Sequence, residues 1–387
     1  MKVSLLTPDF SDNSTARAYI FAKVLKRHYD VEIIGPKFGN TIWVPLRKDS
    51  EITFKIFQGY PFPQFIFQIP KIVKAITGNV IWVNTPQFSS FSIGLLKKFL
   101  SRKPVILDMA DWEFGFYLHN QKNTAEKIRN IIGNAVRFLR IPNSYWSIAI
   151  NEKITRFADE LTVSNSFLQQ KFGGTIIRHC RDTQAFNPEK FNKSSLRKKC
   201  QIEKTEKVVM FFGTPRVQKG IEDLIKAIDL IKSPNIILVI AGINERDQYC
   251  RNLAKAAKEV LGKRFKGFGL QPFDKVPEFL TIADIVVIPQ RRNLATVGQV
   301  PAKLFDAMAM AKPIIATNVS DLPEILDECG WIVEPESPEK LSETIKYVLD
   351  NPEEAEKMGQ RARQKCVEKY SWDAMEKILL KIFKKYE

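Results

Sequence analysis

The sequence predicts an α/β protein built from two doubly wound parallel sheets, each in its own domain. Three observations carry this expectation. The chain has 387 residues, more than one hydrophobic core usually serves. Two regions repeat one rhythm, a short apolar run followed by an amphipathic stretch. Strands covered on both faces by crossover helices leave that pattern. Between the regions lies a polar, Lys-rich stretch, residues 187–207, with Pro188 and little apolar periodicity, the composition of a connection.

In the first region strands are expected at residues 3–7, 31–34, 80–84, 105–109, 160–163 and 175–177. Residues 16–27 read as a helix, because Ala18, Phe21, Ala22 and Leu25 fall on one face. The second region gives strands at 208–212, 236–241, 264–268, 285–289, 313–317 and 331–333. Its helices are expected at 221–231, 247–261, 302–310 and 338–349. A last helix, 373–386, follows Tyr370, Ser371 and Trp372 and has the length to return to the first domain. The expected organisation is residues 1–186 as N-terminal domain, 187–207 as linker and 208–369 as C-terminal domain, with 370–387 packing back on the first.

The composition, 44% hydrophobic and 26% charged, is that of an ordinary globular protein. No apolar run has the length of a membrane span, and the first dozen residues read as a strand rather than a signal peptide. A cytoplasmic location follows by default. The five cysteines are scattered, odd in number and without a CxxC pair, which argues against a disulfide framework or a zinc site. The net charge is +16, and residues 1–186 carry +11 of it. Such a balance fits an anionic partner, either a phosphorylated acceptor or a membrane surface that would hold the protein peripherally, as well as a generic solvated surface. Nucleic acid is not expected, because the cations are not interleaved with aromatics in a recognisable module. Residues 127–150 mix aromatic and aliphatic side chains with four cations. They read either as a helix buried beside the sheet or as an amphipathic surface resting on an anionic membrane, with Tyr145 and Trp146 at the interface.

Two stretches of the second region carry chemistry. Residues 211–220 read FFGTPRVQKG: a buried strand ends at Gly213, a polar loop follows, and a helix opens near Gly220. Ligands of open α/β sheets bind at that edge. Arg216 and Lys219 there are two permanent cations suited to holding a diphosphate and stabilising it as it leaves. Residues 298–313 read GQVPAKLFDAMAMAKP, with a helix expected to begin near Pro301. Its amides form a phosphate seat, Lys303 lies near the phosphates, and Asp306 is placed to accept from ribose hydroxyls. A helix-dipole partner is the plainer role for Asp306.

Further marks follow in order: Ala283-Asp284 leading to Pro289, then residues 304–317, the turn Leu322-Pro323-Glu324-Ile325 and the strand 330–333. Together these resemble the group 1 glycosyltransferases (glycosyltransferase family 4), in the branch with a PxKLxE/D-AMA motif, over nearly the whole chain. The resemblance implies a GT-B fold: two Rossmann-like doubly wound domains facing across a cleft, with the C-terminal helix crossing back to the first. It implies transfer of a sugar from a nucleotide diphosphate-sugar with retention at the anomeric carbon. No metal and no cofactor beyond that cosubstrate are expected. The acceptor would be a saccharide or lipid-linked molecule of cell-surface polysaccharide, glycolipid or glycoconjugate synthesis. Arg216 and Lys219 take the catalytic positions, and Gly213, Gly298, Gln299, Val300, Lys303 and Asp306 the donor-binding ones. Where the family commonly carries a first acid, this chain has Gly298, so backbone at Gly298, Gln299 and Val300 is left to meet the sugar. A non-catalytic homologue that binds nucleotide sugars, or an epimerase on the same fold, fits the same departure.

In the first domain the loop PDFSDNST after strand one has no GxGxxG fingerprint. Ser11, Asp12 and Asn13 read either as acceptor contacts or as a helix N-cap cluster. Residues 108–113 resemble the family's acidic segment at the cleft, with Asp111 the candidate and Asp108 structural. His119 lies close by in sequence. His179 and Arg181 align with a family loop near the acceptor.

Overall fold

The apolar runs become two parallel sheets in the computed structural model, which describes residues 1–120 and 144–387. The chain divides into one unit made of Met1–Arg178 with Met375–Glu387 and a second made of His179–Ala374.

The first unit holds β1 (Lys2–Leu6), β2 (Asp30–Lys37), β3 (Thr53–Gln58), β4 (Val80–Asn84), β5 (Val105–Met109), β6 (Glu160–Val163) and β7 (Thr175–Ile176). They lie in the order β3-β2-β1-β4-β5-β6-β7, all pairs parallel. The helices are α1 (Ala16–Leu25), α2 (Ile69–Ala75), α3 (Ile93–Ser101), α4 (Glu113–His119), α5 (Tyr145–Ile154) and α6 (Ser166–Phe172). β4 and β5 are buried along their whole length, as helices on both faces demand. β3 was not expected from the sequence. It is an edge strand with one paired side and mixed burial, so it lacks the continuous apolar run of its neighbours. The reading of residues 127–150 falls largely outside the described residues; Tyr145 and Trp146 lie in α5.

The second unit holds β8 (Lys207–Phe212), β9 (Ile236–Ile243), β10 (Phe265–Gly269), β11 (Ile285–Ile288), β12 (Ile314–Thr317) and β13 (Trp331–Val333). The order is β10-β9-β8-β11-β12-β13, again parallel throughout. Its helices are α7 (Lys193–Lys199), α8 (Ile221–Ile231), α9 (Gln248–Leu261), α10 (Val276–Ile282), α11 (Lys303–Ala309), α12 (Leu322–Leu326), α13 (Pro338–Asp350) and α14 (Pro352–Lys369). Successive strand residues point to opposite faces. Val208, Met210, Val286 and Ile288 enter a core with α10, α11 and α12, while Val209, Phe211, Ile285 and Val287 enter another with α8, α9 and α13.

Residues 187–207, read from sequence as the linker, lie inside the second unit. α7 is tied down there by Arg197, which donates to the Ile282 carbonyl and to Asp284, and by Lys193, also on Asp284. Leu196 is the helix's one apolar side chain on the core and polar ties supply the rest, so the apolar periodicity that marks a packed helix is weak.

α15 (Trp372–Phe383) ends the chain, and its residues from Met375 onward belong to the first unit. Phe383 stacks on Trp82 with ring centroids 5.7 Å apart and planes 9° apart. Glu376 meets both Arg27 and His28.

Candidate functional site

Each sheet reverses its strand order beside the first strand of its unit, at β1/β4 and at β8/β11. Chains leaving two neighbouring strands in opposite directions open a crevice at the C-terminal strand ends, the usual ligand position in such sheets.

At the β8/β11 crevice, Gly213 has φ 106° and Gly220 has φ 62°, values that favour glycine. A Cβ on Gly220 would collide with the Pro289 carbonyl, so residues 214–219 lie against the end of β11 only because that residue is glycine. The Arg291 amide donates to the Gln218 carbonyl at 3.0 Å and fixes the same approach. Lys303, at the start of α11, sends its Nζ over the Phe211 ring, 3.8 Å from the centroid. A Cβ on Gly213 would stand 3.1 Å from that Nζ. A cavity of about 10 Å³ lies here, lined by Phe211, Lys219, Gln290, Pro301 and Lys303 among others. Burial first, and then the charge of Lys219, hold Lys303 well below the ordinary lysine range, with Asp306 opposing.

Lys219 donates from Nζ to the Thr214 carbonyl at 2.7 Å and borders the cavity. Arg216 turns elsewhere: its NH1 donates to Asp247 Oδ2 at 2.8 Å, and the guanidinium is well exposed. Asp247 in turn caps α9 through the Cys250 amide. The two cations therefore do not converge in this structure. The helix expected from Pro301 starts at Lys303. The Gln299 amide already donates to the Thr296 carbonyl at 3.2 Å, and the Val300 side chain is core, which leaves Val300 only its backbone to offer a ligand.

Asp306 and Arg181, expected at the donor and near the acceptor, meet each other instead. Both are buried, and Arg181 Nε donates to Asp306 Oδ1. The same guanidinium reaches the Ala302 carbonyl at 2.9 Å and the Cys180 carbonyl at 2.8 Å. Arg181 is thus a buried tie of the second unit rather than an acceptor contact, and Asp306 has one oxygen already engaged. His179 lies 6.2 Å from Phe305, ring to ring. The sequence reading missed Gln290, which is 3% exposed. Its signal was its place directly after the Pro that ends the β11 run.

At the β1/β4 crevice the loop after β1 resolves toward the capping alternative. Asp12 accepts from the Ser14 amide at 2.8 Å, and Ser11 Oγ accepts from the Gly39 amide at 2.8 Å. Asp12 and Asn13 stay exposed. Asp108 is fully buried and held by Arg17, at 2.6 and 2.9 Å, and by Thr162, as a structural residue should be. Asp111 is partly buried after β5, and His119 ends α4, its pKa lowered by burial. The sequence reading also passed over Glu113. Burial, followed by Asp111, pushes its carboxyl up to about 7, with Asp12 adding to the same effect. The signal was a third acid in residues 108–113.

Residues 192–365, which contain every element of the β8/β11 crevice, match the family described as glycosyl transferases group 1. Over those residues the second unit is similar to the group 1 glycosyltransferases. An uncharacterized glycosyltransferase of Methanocaldococcus jannaschii is 29% identical over 197 residues, 50% of this chain and 48% of that protein. The alpha-maltose-1-phosphate synthase of Mycolicibacterium smegmatis is 25% identical over 224 residues, 54% of this chain and 56% of that one. The chain thus spans about half the length of these curated relatives. The solved structure of Anabaena Alr3699/HepE in complex with UDP-glucose covers 100% of both chains with TM-score 0.77 at 17% identity. The GT-B architecture expected from the sequence, with two parallel-sheet Rossmann-like units, is the one the chain has.

Proposed function

We propose that the protein is a retaining glycosyltransferase whose nucleotide diphosphate-sugar donor binds at the β8/β11 crevice of the second unit. The observation that carries this reading is the cavity at that switch point, bordered by Lys219 and Lys303. Arg216 stands on the same loop, partly exposed and held by Asp247. Cations so placed hold a diphosphate in the ground state and stabilise the charge that grows on it as the sugar departs. Retention without a required metal or cofactor follows the resemblance to the family, in which the leaving phosphate also takes the acceptor's proton. The acceptor, a saccharide or lipid-linked molecule, belongs to the first unit, where Asp111, Glu113 and His119 follow β5 and Glu113 meets Gln87 from the loop after β4.

The first unit also offers a face for the inner surface of the cell membrane. α3 carries Leu96, Phe99 and Leu100 at i, i+3, i+4 spacing toward solvent, with Phe99 68% and Leu100 69% exposed. Phe157 joins them, its ring 6.5 Å from that of Phe99. Residues 52–107 contain seven Lys and Arg and no carboxylate. Apolar side chains set among cations suit an anionic bilayer. No helix among the described residues is long and apolar enough to cross one.

A thermal-shift screen against UDP-, GDP-, dTDP- and ADP-sugars identifies the donor, and turnover with that donor tests the roles. Lys219→Ala is expected to lower turnover by about a hundredfold or more, and Arg216→Ala also to lower it. Wild-type turnover in both variants sinks the assignment. A second reading, a nucleotide-sugar-binding homologue without turnover, is favoured by Gly298 in the place of the family's first acid, and binding without transfer selects it. Conversion of the donor alone would select an epimerase.

A further inference from the structure

Four donors in the second unit, on Gln290, Lys303, Ser320 and Trp372, are buried without an acceptor, and the first two border one cavity. Gln290 Nε2 and Lys303 Nζ are shut from solvent and have no hydrogen-bond partner. Gln290 follows β11 and Lys303 opens α11, so two separate elements bring them to the same cavity of about 10 Å³. The rest of its wall is apolar, from Phe211, Ile288, Pro289 and Pro301, apart from Lys219. Prolines donate nothing, and Lys219 already has the Thr214 carbonyl. A buried amide without an acceptor and a buried amine that has only the Phe211 ring both weigh against folding, so such groups are rare in stable proteins unless a ligand completes them.

We propose that Gln290 and Lys303 form a buried oxyanion pocket that receives one phosphoryl oxygen of the donor's diphosphate. The assignment deepens the transferase reading and rests on it for the identity of the ligand. The cavity's size matches a single oxygen, since about one probe sphere of space holds one water. Its lining makes the choice between water and anion: Lys219 borders it as a cation, Lys303 gains a charge when an anion meets it, and no carboxylate borders it. Gly213 is the third component, because its lack of a side chain admits the Lys303 ammonium to the end of β8.

The pocket also couples binding to a proton. The titratable groups that act on Lys303 are Lys219, from the loop ahead of α8, and Asp306, on its own helix and paired with Arg181. β8 and the stretch after β11 face it with Phe211, Gly213, Gln290 and Pro301, none of which titrates. With Lys303 held below the ordinary lysine range in the free protein, an anionic oxygen against Nζ raises it again, and a proton is taken up.

The test is calorimetric titration of the full chain with pyrophosphate, in two buffers of different protonation enthalpy. The wild type is expected to bind pyrophosphate with proton uptake. Lys303→Met should weaken binding roughly tenfold to a hundredfold and remove the uptake, and Gln290→Leu should weaken it about tenfold. Both variants should unfold no more easily than the wild type, because each removes a buried unpaired donor. Wild-type affinity in both variants overturns the pocket, as does a lack of pyrophosphate binding by the wild type. A loss of stability that accompanies the loss of binding would show a packing role and also overturns it. If pyrophosphate binds through these residues yet no nucleotide sugar is turned over, the transferase reading fails and the pocket stands. Wild-type turnover in both variants has the reverse consequence.

Discussion

Arg181 and Asp306 stand 125 positions apart in the chain and meet inside the second unit, each almost entirely enclosed. Removing a charge from water is costly, and mutual attraction with added hydrogen bonds offsets it. The Ala302 and Cys180 carbonyls supply those bonds to Arg181. Arg181→Met would leave Asp306 buried without its partner and is expected to lower stability by about 3–5 kcal/mol. Adding Asp306→Leu to Arg181→Met should recover most of that loss, because no buried charge then remains. Chemical denaturation of both variants checks this, and a fall of less than about 1 kcal/mol in the single variant would show that the pair adds little. The pairing was illegible beforehand, since each side chain alone fitted a ligand role and only the fold puts them together. Ala311 is a second residue-scale departure. It sits at φ 52°, a conformation that costs an L-residue about 1–2 kcal/mol.

At the scale of elements, burial decided what the sequence showed. Strands covered on both faces are mostly apolar, and β5, β6 and β13 begin and end where the sequence predicts. α14 went unread because its packed stripe is small rather than greasy: Ala355, Gly359, Ala362 and Cys366. A Cβ on Gly359 would collide with the Ala311 carbonyl, so close backbone approach replaces side-chain burial there. The candidate site followed the same division. Glycines and cations of the β8 loop were legible as a motif, whereas Gln290 became visible only when the cavity showed its unpaired amide. α3 was missed for the opposite reason: it is apolar on two sides, one facing the core through Ile93 and Leu95 and one facing solvent. That second side makes a prediction. Phe99→Ser combined with Leu100→Ser should reduce co-sedimentation with phosphatidylglycerol-containing vesicles by about tenfold or more while leaving the unfolding midpoint unchanged. Lys74→Glu with Lys97→Glu should weaken it by roughly fivefold per charge, and added salt should do the same. Equal sedimentation of all forms would remove the membrane from this face.

At the scale of the whole molecule, charge is distributed unevenly and so is the response to pH. The first unit contains carboxyls displaced in opposite directions. Glu32 and Asp49 are each held near 2 despite burial, Glu32 by Lys55, Ser4 and Lys2, and Asp49 by Tyr19, the Ile52 amide and Lys23. Their contributions are complete above the ordinary carboxylate range and are lost as the pH falls toward 2. Glu113, raised to about 7 by burial and then Asp111, works the other way. The fold favours its neutral form, so its contribution is complete below the unfolded value near 4.5 and is lost as the pH rises through 7. The amount is on the order of 1–3 kcal/mol. His119, lowered by burial, has the contrary slope below its ordinary value, so the wild-type profile alone would mix the two. Glu113→Gln separates them. Relative to the wild type, that variant should gain stability steadily from pH 5 to pH 7.5, measured by denaturant unfolding of the first unit's transition. A constant difference across that interval would mean that Glu113 is ionised throughout. The acidic crevice after β1 and β5 would then present a full negative charge to any acceptor in the very unit that carries most of the chain's positive excess.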